Sequence, residues 1–346
     1  MIEDIAGSIF KSSNSQIKKL NTMPEFKIQH LTKYTYEGLV RDSANQIILF
    51  PIKDEYQDVV KQELHITGNP VVDTHIDYYG NEVGSFTYSE QHSVMLINSK
   101  LDVITRQRPL PVNDIFPEQQ WEDLKRLQYM VPYIDFLKQE YFEGLPELQV
   151  IVEKERLRDD TPYQIALRFC NYVYQNFEYI KGVTTVETTL DEVWKLKAGV
   201  CQDFAHILMV MLRQLKIPAR YVSGYICTHS SAMRGEGATH AWAEAYIPDY
   251  GWLGIDPTNN CIANETHVRL AVGRNFSDCS PVKGVYKGSY GHKLEVAVTV
   301  EDENTCATYD DKAFHEPVAL QPVTEFSKNS YQRHMEIIQQ QQQQQQ

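Results

Sequence analysis

The chain has 346 residues, with 33 basic and 46 acidic side chains and a formal net charge of -13. Its length suits two domains, each large enough to bury a core. The acidic balance argues against nucleic acid and anionic membranes as partners, because phosphate contacts need clustered Lys and Arg.

Cysteine usage and the two ends of the chain limit the class of protein further. The six cysteines form no C-x-x-C pair, so we expect no zinc ribbon, no redox dithiol and no metal or cofactor. Residues 1–25 form an N-terminal extension without the apolar core of a secretory signal, and no segment approaches the roughly 20 apolar residues of a membrane span. We therefore predict a cytoplasmic protein. Residues 301–346, which end in eight glutamines, are predicted to be a disordered tail.

Short runs of alternating apolar and polar residues fill positions 26–105. Turn signals such as Gly68-Asn69-Pro70 separate these runs, and the two features together predict an all-β N-terminal domain, either a sandwich or a barrel. Residues 106–160 begin with a proline-rich stretch and continue with helical periodicity, which predicts a linker followed by a helical segment.

A helix start is indicated at Thr161, which is followed by a proline at the first helical position and by Gln164 at the third. The same type of capping box recurs at Thr189, with Glu192 three residues later. Two helices are therefore predicted ahead of the segment that contains Cys201.

Cys201 precedes a long apolar helix and does not lie within its apolar stripe. The stripe recurs at helical spacing and consists of Phe204, Ile207, Leu208, Met211, Leu212 and Leu215. At a helix N-terminus, unpaired backbone N–H groups and the macrodipole favour a thiolate, and the backbone N–H of Cys201 is itself a candidate oxyanion donor. On this position alone, a reactive nucleophile and a merely buried thiol both remain open.

A predicted β-hairpin after this helix carries the two residue types that would activate a thiol. Residues 239–247 alternate strictly, which puts His240 and Trp242 on one face. A turn at Pro248 leads to a strand that ends at Asp256, and a hairpin centred on Pro248 would set His240 directly opposite Asp256. Acyl transfer by a cysteine needs this combination of thiolate, imidazole and orienting acceptor.

Two further side chains are candidates for a place near the thiol. Trp242 shares a face with His240, so it could line the substrate pocket, although a core aromatic is an equal alternative. His206 lies about 140° around the helix from Cys201, and we interpret it as a packing residue.

In these segments the chain resembles the transglutaminase-like superfamily of papain-like thiol enzymes, and in particular its bacterial branch with an N-terminal β-domain. The resemblance is carried in the core by GVCQDFAH (199–206), IPARYVSGY (217–225), HAWAE (240–244), GIDPT (254–258) and GRNFSD (273–278), and in the β-domain by HLTKY (30–34) and DYYGN (77–81). It implies a catalytic core over 161–300, in which the nucleophile helix packs on an antiparallel sheet, and hence an α+β fold. It also implies Cys201 as the nucleophile, His240 as the acid/base and Asp256 as the orienting residue.

Three functions remain open on the sequence alone. The first is a cysteine-dependent hydrolase of peptide or other amide bonds, which the resemblance to the bacterial branch favours. The second is a transglutaminase that passes an acyl group from glutamine to an amine, and the third is a non-catalytic binding module that keeps the fold. For either enzyme, the expected partner is a protein or peptide substrate.

Overall fold

The computed structural model describes residues 23–112, 115–185, 188–227, 234, 238–302 and 307–310. The strands are β1 Glu25–Phe50, β2 Gln57–Ile66, β3 Asp73–Ile76, β4 Glu82–Tyr88, β5 His92–Thr105, β6 Glu178–Tyr179, β7 Ala198–Gly199, β8 Ala219–Ile226, β9 Thr239–Ile247, β10 Gly251–Asp256, β11 Cys261–Ile262, β12 His267–Gly273, β13 Val282–Lys287, β14 His292–Asp302 and β15 Ala307–Asp310. The helices are α1 Pro117–Leu127, α2 Tyr133–Phe136, α3 Leu145–Glu155, α4 Pro162–Asn176, α5 Leu190–Leu196, α6 Cys201–Gln214 and α7 Phe276–Cys279.

Among the helices of this described part, none has both the length and the apolar character that crossing a bilayer requires. The predicted α+β fold is confirmed.

The N-terminal domain is built around the long strand β1. The first half of β1 pairs antiparallel with β5 on one side and β14 on the other, and its second half pairs with β4 and β13. Strand β2 extends the sheet from β5, and β3 extends it from β4. Alternate side chains face inward, so that Phe26, Ile28, Ile47 and Met95 belong to one buried core.

The chain returns to this domain near its C-terminal end. Strands β13 and β14 pair with β1, and β15 pairs with β14. The predicted core range 161–300 therefore includes strands of the N-terminal sheet, and β15 falls within the predicted tail 301–346. Most of that tail and of the predicted extension 1–25 lies outside the described residues. Pairing between segments so distant in the chain is not local, so periodicity along the sequence cannot assign these strands to the right sheet.

Two helix starts have the capping boxes expected from the sequence. At the start of α4, Thr161 Oγ1 accepts the Gln164 N–H (3.2 Å), and Gln164 Oε1 accepts the Thr161 N–H (2.9 Å). Thr189 and Glu192 form the same reciprocal pair at the start of α5. Both predictions are confirmed, and each box satisfies two of the N–H groups that a helix start leaves free.

Helix α6 packs on a five-stranded antiparallel sheet with the strand order β11-β10-β9-β8-β12. The small side chains of Ala241, Ala243 and Ala245 in β9 allow the helix to approach closely, and they share a core with Phe204 and Leu208 of α6. The predicted packing of this helix on an antiparallel sheet is therefore confirmed.

Two amide side chains of the N-terminal domain hold the edge strand β12 by its backbone. Asn81 is buried; its Nδ2 donates to the Val272 carbonyl (2.8 Å), and its Oδ1 accepts the Val272 N–H (2.8 Å). Gln57 makes the same two contacts with Arg269, at 2.8 and 2.7 Å. The two amides thus take the place of a neighbouring strand, and they join the N-terminal domain to the sheet that carries His240.

Replacing Asn81 with Ala is expected to destabilise the protein by about 2 kcal/mol, because the buried Val272 N–H and carbonyl would lose their partners. Denaturant unfolding measures the loss. Asn98→Ala is the matched control, because Asn98 is only half-buried and bonds to Gln29 at the surface; its expected effect is within about 0.5 kcal/mol. If the two variants were equally stable, the hydrogen bonds from Asn81 to β12 would contribute nothing to the free energy of unfolding.

Candidate active site

Cys201 is the first residue of α6, and a tight turn precedes it. Asp203 Oδ2 accepts both the Val200 N–H (2.8 Å) and the Thr184 hydroxyl (2.7 Å). Burial raises the pKa of Asp203, although these two hydrogen bonds act in the opposite direction. The Cys201 side chain is partly exposed, whereas the apolar face of its helix is buried. The fold therefore presents the thiol at the rigid end of a core helix.

Gly199 provides the space that Asp203 occupies in this turn. A Cβ at position 199 would lie 2.5 Å from Oδ2 and 2.9 Å from Cβ of Asp203. We therefore expect Gly199→Ala to displace the Asp203 side chain, to destabilise the protein by about 1–3 kcal/mol and to slow the alkylation of Cys201 by iodoacetamide. Gly291→Ala is the control, because the nearest atoms there belong to the side chain of Glu37. If Gly199→Ala left the alkylation rate unchanged, this turn would not be what positions the thiol.

The β9–β10 hairpin brings His240 and Asp256 together. His240 Nε2 lies 2.8 Å from Asp256 Oδ2. The two side chains are 4% and 0% exposed, so water does not compete for this contact. The distance is that of a charge-assisted hydrogen bond, with the ring N–H donating to the carboxylate.

The register of this hairpin differs from the prediction. The predicted centre is Pro248, whereas the pairing of Gly251 with Ile247 centres the loop one residue later. Continued to the end of β10, this register sets Asp256 diagonally across from His240 and not directly opposite. Because the partner shifts by two residues and side chains alternate with a period of two, both remain on the same face, and the imidazole still reaches the carboxylate.

Asp256 is held by donors on both of its oxygens. Oδ1 accepts the backbone N–H groups of Thr258 (2.9 Å) and Asn259 (3.3 Å). Oδ2 accepts the Asn259 side-chain amide (2.7 Å) in addition to His240, and it lies 3.4 Å from Nε2 of His267. Burial alone would raise the pKa of Asp256, but the charge and hydrogen bond of His240, together with His267, hold it below its usual range. The carboxylate is therefore ionised.

His240 links this carboxylate to the thiol. With Nε2 engaged by Asp256, Nδ1 is the ring nitrogen left to interact with the nearby Cys201. Burial would lower the pKa of His240, but Asp256 and, to a smaller extent, Cys201 raise it well above its ordinary value. The site thus stabilises an imidazolium between the Asp256 carboxylate and the Cys201 thiol.

Sequence reasoning does not identify Asn259 or His267 as members of this cluster. Asn259 follows Asp256 in the run D-P-T-N, and an aspartate that caps the backbone two and three residues later is a known turn pattern. That pattern could have indicated Asn259. His267 reaches Asp256 because β12 pairs with β8, and no local spacing connects the two residues.

Trp242 is fully buried. It packs with Val222 and Val272, and its ring centroid lies 6.1 Å from that of His240. These contacts make it part of the core under the N-terminal domain, and its role in a substrate pocket stays a prediction.

His206 packs away from the thiol. Its ring centroid lies 5.1 Å from that of Tyr221, and its Nε2 accepts the Phe276 N–H (3.2 Å). Burial lowers the pKa of His206 to about 4, so the ring is neutral. These contacts support its interpretation as a packing residue.

His240, Asp256 and His267 also form the type of cluster that could hold a metal ion, since their ligand atoms lie within 4.8 Å of one another. The same atoms already have hydrogen-bond partners, because Asp256 Oδ2 accepts from both histidines. Hydrogen bonding therefore accounts for the cluster, and its geometry does not require an ion.

The sequence matches known families over both parts of this architecture. Residues 152–257 match the transglutaminase-like superfamily, and residues 26–104 match the bacterial transglutaminase-like N-terminal region. An uncharacterised protein of Mycobacterium tuberculosis is 30% identical over 300 residues, which cover 80% of this chain and 92% of that protein. An uncharacterised protein of Mycobacterium leprae is 29% identical over 282 residues, which cover 80% of this chain and 99% of that protein. The chain belongs to the transglutaminase-like superfamily.

Two further similarities concern proteins with named activities. The crystal structure of "a Putative Cysteine Protease from Cytophaga hutchinsonii" shares the fold, with a TM-score of 0.65 and 22% identity over 84% of this chain and 98% of that chain. The protein-glutamine gamma-glutamyltransferase of Pseudomonas aeruginosa is 27% identical over 126 residues, which cover 33% of this chain and 18% of that protein. Because the two names describe different reactions, membership of the superfamily leaves the reaction open.

Proposed function

We propose that this protein is a cysteine hydrolase that cleaves a peptide or isopeptide bond in a protein or peptide substrate. One observation carries the proposal. The partly exposed thiol of Cys201 is close enough to His240 to help raise the pKa of that ring, and Nε2 of the ring lies 2.8 Å from the buried Asp256 carboxylate. These groups would supply the nucleophile, the proton carrier and the orienting anion for amide cleavage through a thioester.

In the proposed acylation step, the Cys201 thiolate attacks the carbonyl carbon of the scissile amide, and the carbonyl oxygen becomes an oxyanion. The backbone N–H of Cys201, at the first position of α6, has no intrahelical acceptor, and it is the proposed donor to that oxyanion. The His240 imidazolium then passes its Nδ1 proton to the leaving nitrogen. The C–N bond breaks, the neutral amine departs, and the acyl group remains on sulfur as a thioester.

In the proposed deacylation step, the now neutral His240 removes a proton from water as that water attacks the thioester carbonyl. The C–S bond breaks, the product carboxylic acid leaves, and the Cys201 thiolate is restored beside the imidazolium. Asp256 remains ionised throughout and keeps the ring in the tautomer and orientation that both proton transfers need.

Transamidation is the second candidate. The partial similarity to the Pseudomonas aeruginosa protein-glutamine gamma-glutamyltransferase supports it. The two reactions share the thioester and differ only in the group that resolves it, which is water in hydrolysis and an amine in transamidation. A transamidating site must keep water from the thioester.

The cysteines support a proposed location in the cytoplasm. Cys170, Cys201, Cys261 and Cys279 are free thiols. Free thiols are typical of reducing compartments. The net charge of -13 supports the further proposal that the partner is neither nucleic acid nor an anionic membrane.

The test uses a synthetic peptide library that contains glutamine side chains and lysine isopeptides, incubated with the protein in ¹⁸O-labelled water, with and without an added alkylamine. Hydrolysis places ¹⁸O in a new carboxyl group, whereas transamidation places the amine at the same carbon. Mass spectrometry distinguishes the two products, and Cys201→Ala is the control.

We expect ¹⁸O-labelled products that depend on Cys201 and persist when the amine is present. Products that carry mainly the amine would favour transamidation. If neither product depended on Cys201, both enzymatic proposals would be wrong, and a binding module on this fold would be the better account.

A further inference from the structure

A second histidine contacts the carboxylate that orients His240. His267 is the first residue of β12 and is 5% exposed. Its Nε2 lies 3.4 Å from Asp256 Oδ2, and its ring centroid lies 6.0 Å from that of His240. The proposed acylation and deacylation steps make no use of this second imidazole, so its position beside Asp256 needs another explanation.

The neighbours of His267 fix the position of its proton. Nδ1 lies 3.1 Å from the Thr266 hydroxyl, which can donate or accept, and 3.4 Å from the backbone N–H of Asn264, which can only donate. Nε2 faces the ionised Asp256, which can only accept. A hydrogen on Nε2 and none on Nδ1 is the arrangement that satisfies all three contacts. Burial lowers the pKa of His267, although Asp256 acts in the opposite direction, so the ring is a neutral donor.

This neutral donor completes a set of three on one oxygen. Asp256 Oδ2 accepts from the ring of His240, from the side-chain amide of Asn259 and from His267. Of these three donors, only His240 changes its protonation state in the proposed reaction. The other two therefore continue to hold the carboxylate while the proton moves. Because His267 is uncharged, it also leaves the carboxylate to stabilise a single positive charge, that of the His240 imidazolium.

The position of His267 is fixed from outside the catalytic core. Gln57 of the N-terminal domain bonds to both the N–H and the carbonyl of Arg269, two residues along β12. On the other side of the strand, His267 itself pairs with Ile226 of β8. The donor therefore lies on a strand that is held along both edges, and such support is what a positioning residue needs.

We propose that His267 is a positioning residue that donates its Nε2 hydrogen to Asp256 and thereby holds the carboxylate in place for His240. The inference rests on the proposed function, because it assigns His267 a role in activating the Cys201 thiol. Loss of this donor should let Asp256 move and weaken its stabilisation of the His240 imidazolium. The rate at which Cys201 reacts with an electrophile near neutral pH should then fall.

The test compares two substitutions of nearly equal size, His267→Gln, which keeps an N–H donor, and His267→Met, which has none. The rate constant for alkylation of Cys201 by iodoacetamide is measured at about pH 6 by peptide mass spectrometry, and thermal unfolding shows that each variant is folded. A matched control is His30→Met. This substitution removes another buried histidine, which bonds to Tyr225.

We expect His267→Met to slow alkylation of Cys201 about tenfold, the order of effect of losing one hydrogen bond to a charged group. His267→Gln should stay within about threefold of the natural protein because it retains a donor, and His30→Met should leave the rate unchanged. The rescue by Gln is the decisive result, since a role limited to filling space would give equal rates for the Gln and Met variants.

Three results would count against the proposal. If Cys201 were alkylated rapidly in the natural protein and equally rapidly in His267→Met, the proposed role of His267 would be wrong and the proposed function would stand. Equal slowing by Met and Gln would also overturn it, because the donor would then make no difference. A natural Cys201 that reacts no faster than the other cysteines would contradict the proposed function itself, and the inference with it.

Discussion

Replacing Asp256 with Asn is expected to slow amide hydrolysis by about three to four orders of magnitude, the scale on which an orienting carboxylate acts in acyl-transfer triads. The substitution keeps the size of the side chain and removes its charge. Backbone N–H groups converge on one oxygen of Asp256 and side-chain donors on the other. In either orientation of an Asn amide, its NH₂ group would therefore face hydrogen-bond donors and find no acceptor. We therefore expect the His240 ring to lose both its anchor and the charge that stabilises its imidazolium.

The same substitution is expected to change how stability depends on pH. The folded-state pKa of Asp256 is lowered, so its ionised form stabilises the native protein above the unfolded pKa of about 3.9. This contribution is lost as the pH falls through the lower folded pKa. Asp256→Asn lacks the group, so its thermal midpoint should be lower near neutral pH and should fall less steeply in acid.

The matched control is Asp278→Asn, which removes a partly buried carboxylate outside the site. Asp278 bonds to the backbone and side chain of Arg274. We expect this variant to lose some stability and to keep the natural hydrolysis rate. Hydrolysis by Asp256→Asn at the rate of Asp278→Asn would remove Asp256 from the proposed mechanism.

Replacing His240 with Ala is expected to reduce hydrolysis by at least about four orders of magnitude, because acylation would lose the proton donor and deacylation would lose the base. Alkylation of Cys201 by iodoacetamide reports the same loss without a substrate. The pKa of His240 is raised by Asp256 and Cys201, so its imidazolium persists near neutral pH. Without this cation, we expect Cys201 to be alkylated rapidly only at alkaline pH, as an ordinary thiol is.

His206→Ala is the control for this prediction. His206 is also buried, lies on the nucleophile helix α6 and bonds to Phe276, so its removal tests whether any histidine lost near the thiol has the same effect. We expect His206→Ala to keep the alkylation profile of the natural protein. If His240→Ala kept that profile as well, the thiol would not depend on its imidazole neighbour.

The parts of the site that lie close together in the sequence could be predicted. Cys201 at the helix start follows from helical spacing, and the shared face of His240 and Asp256 follows from strand alternation. The register prediction was wrong by two residues, because a turn signal at Pro248 does not set the loop length. The error was harmless, since a shift of two keeps every side chain on its face.

The parts that depend on distant pairing could not be predicted. His267 lies near Asp256 through the pairing of β12 with β8, and strands β13 and β14 return to pair with β1. Such contacts join segments that share no local pattern. The contacts of Gln57 and Asn81 with β12 were missed for the same reason, because an amide side chain that replaces a strand has no periodicity of its own.

The most direct test of a thiolate–imidazolium site is alkylation of the native protein by iodoacetamide from about pH 5 to about pH 9, with every cysteine followed by peptide mass spectrometry. Cys261 is the internal reference, because its side chain is also partly exposed while burial and the nearby Asp256 raise its pKa to about 12. We predict that Cys201 reacts rapidly below about pH 7 and that Cys261 does not. If Cys201 reacted as slowly as Cys261 in that range, the thiol would not be activated and the proposed mechanism would be contradicted.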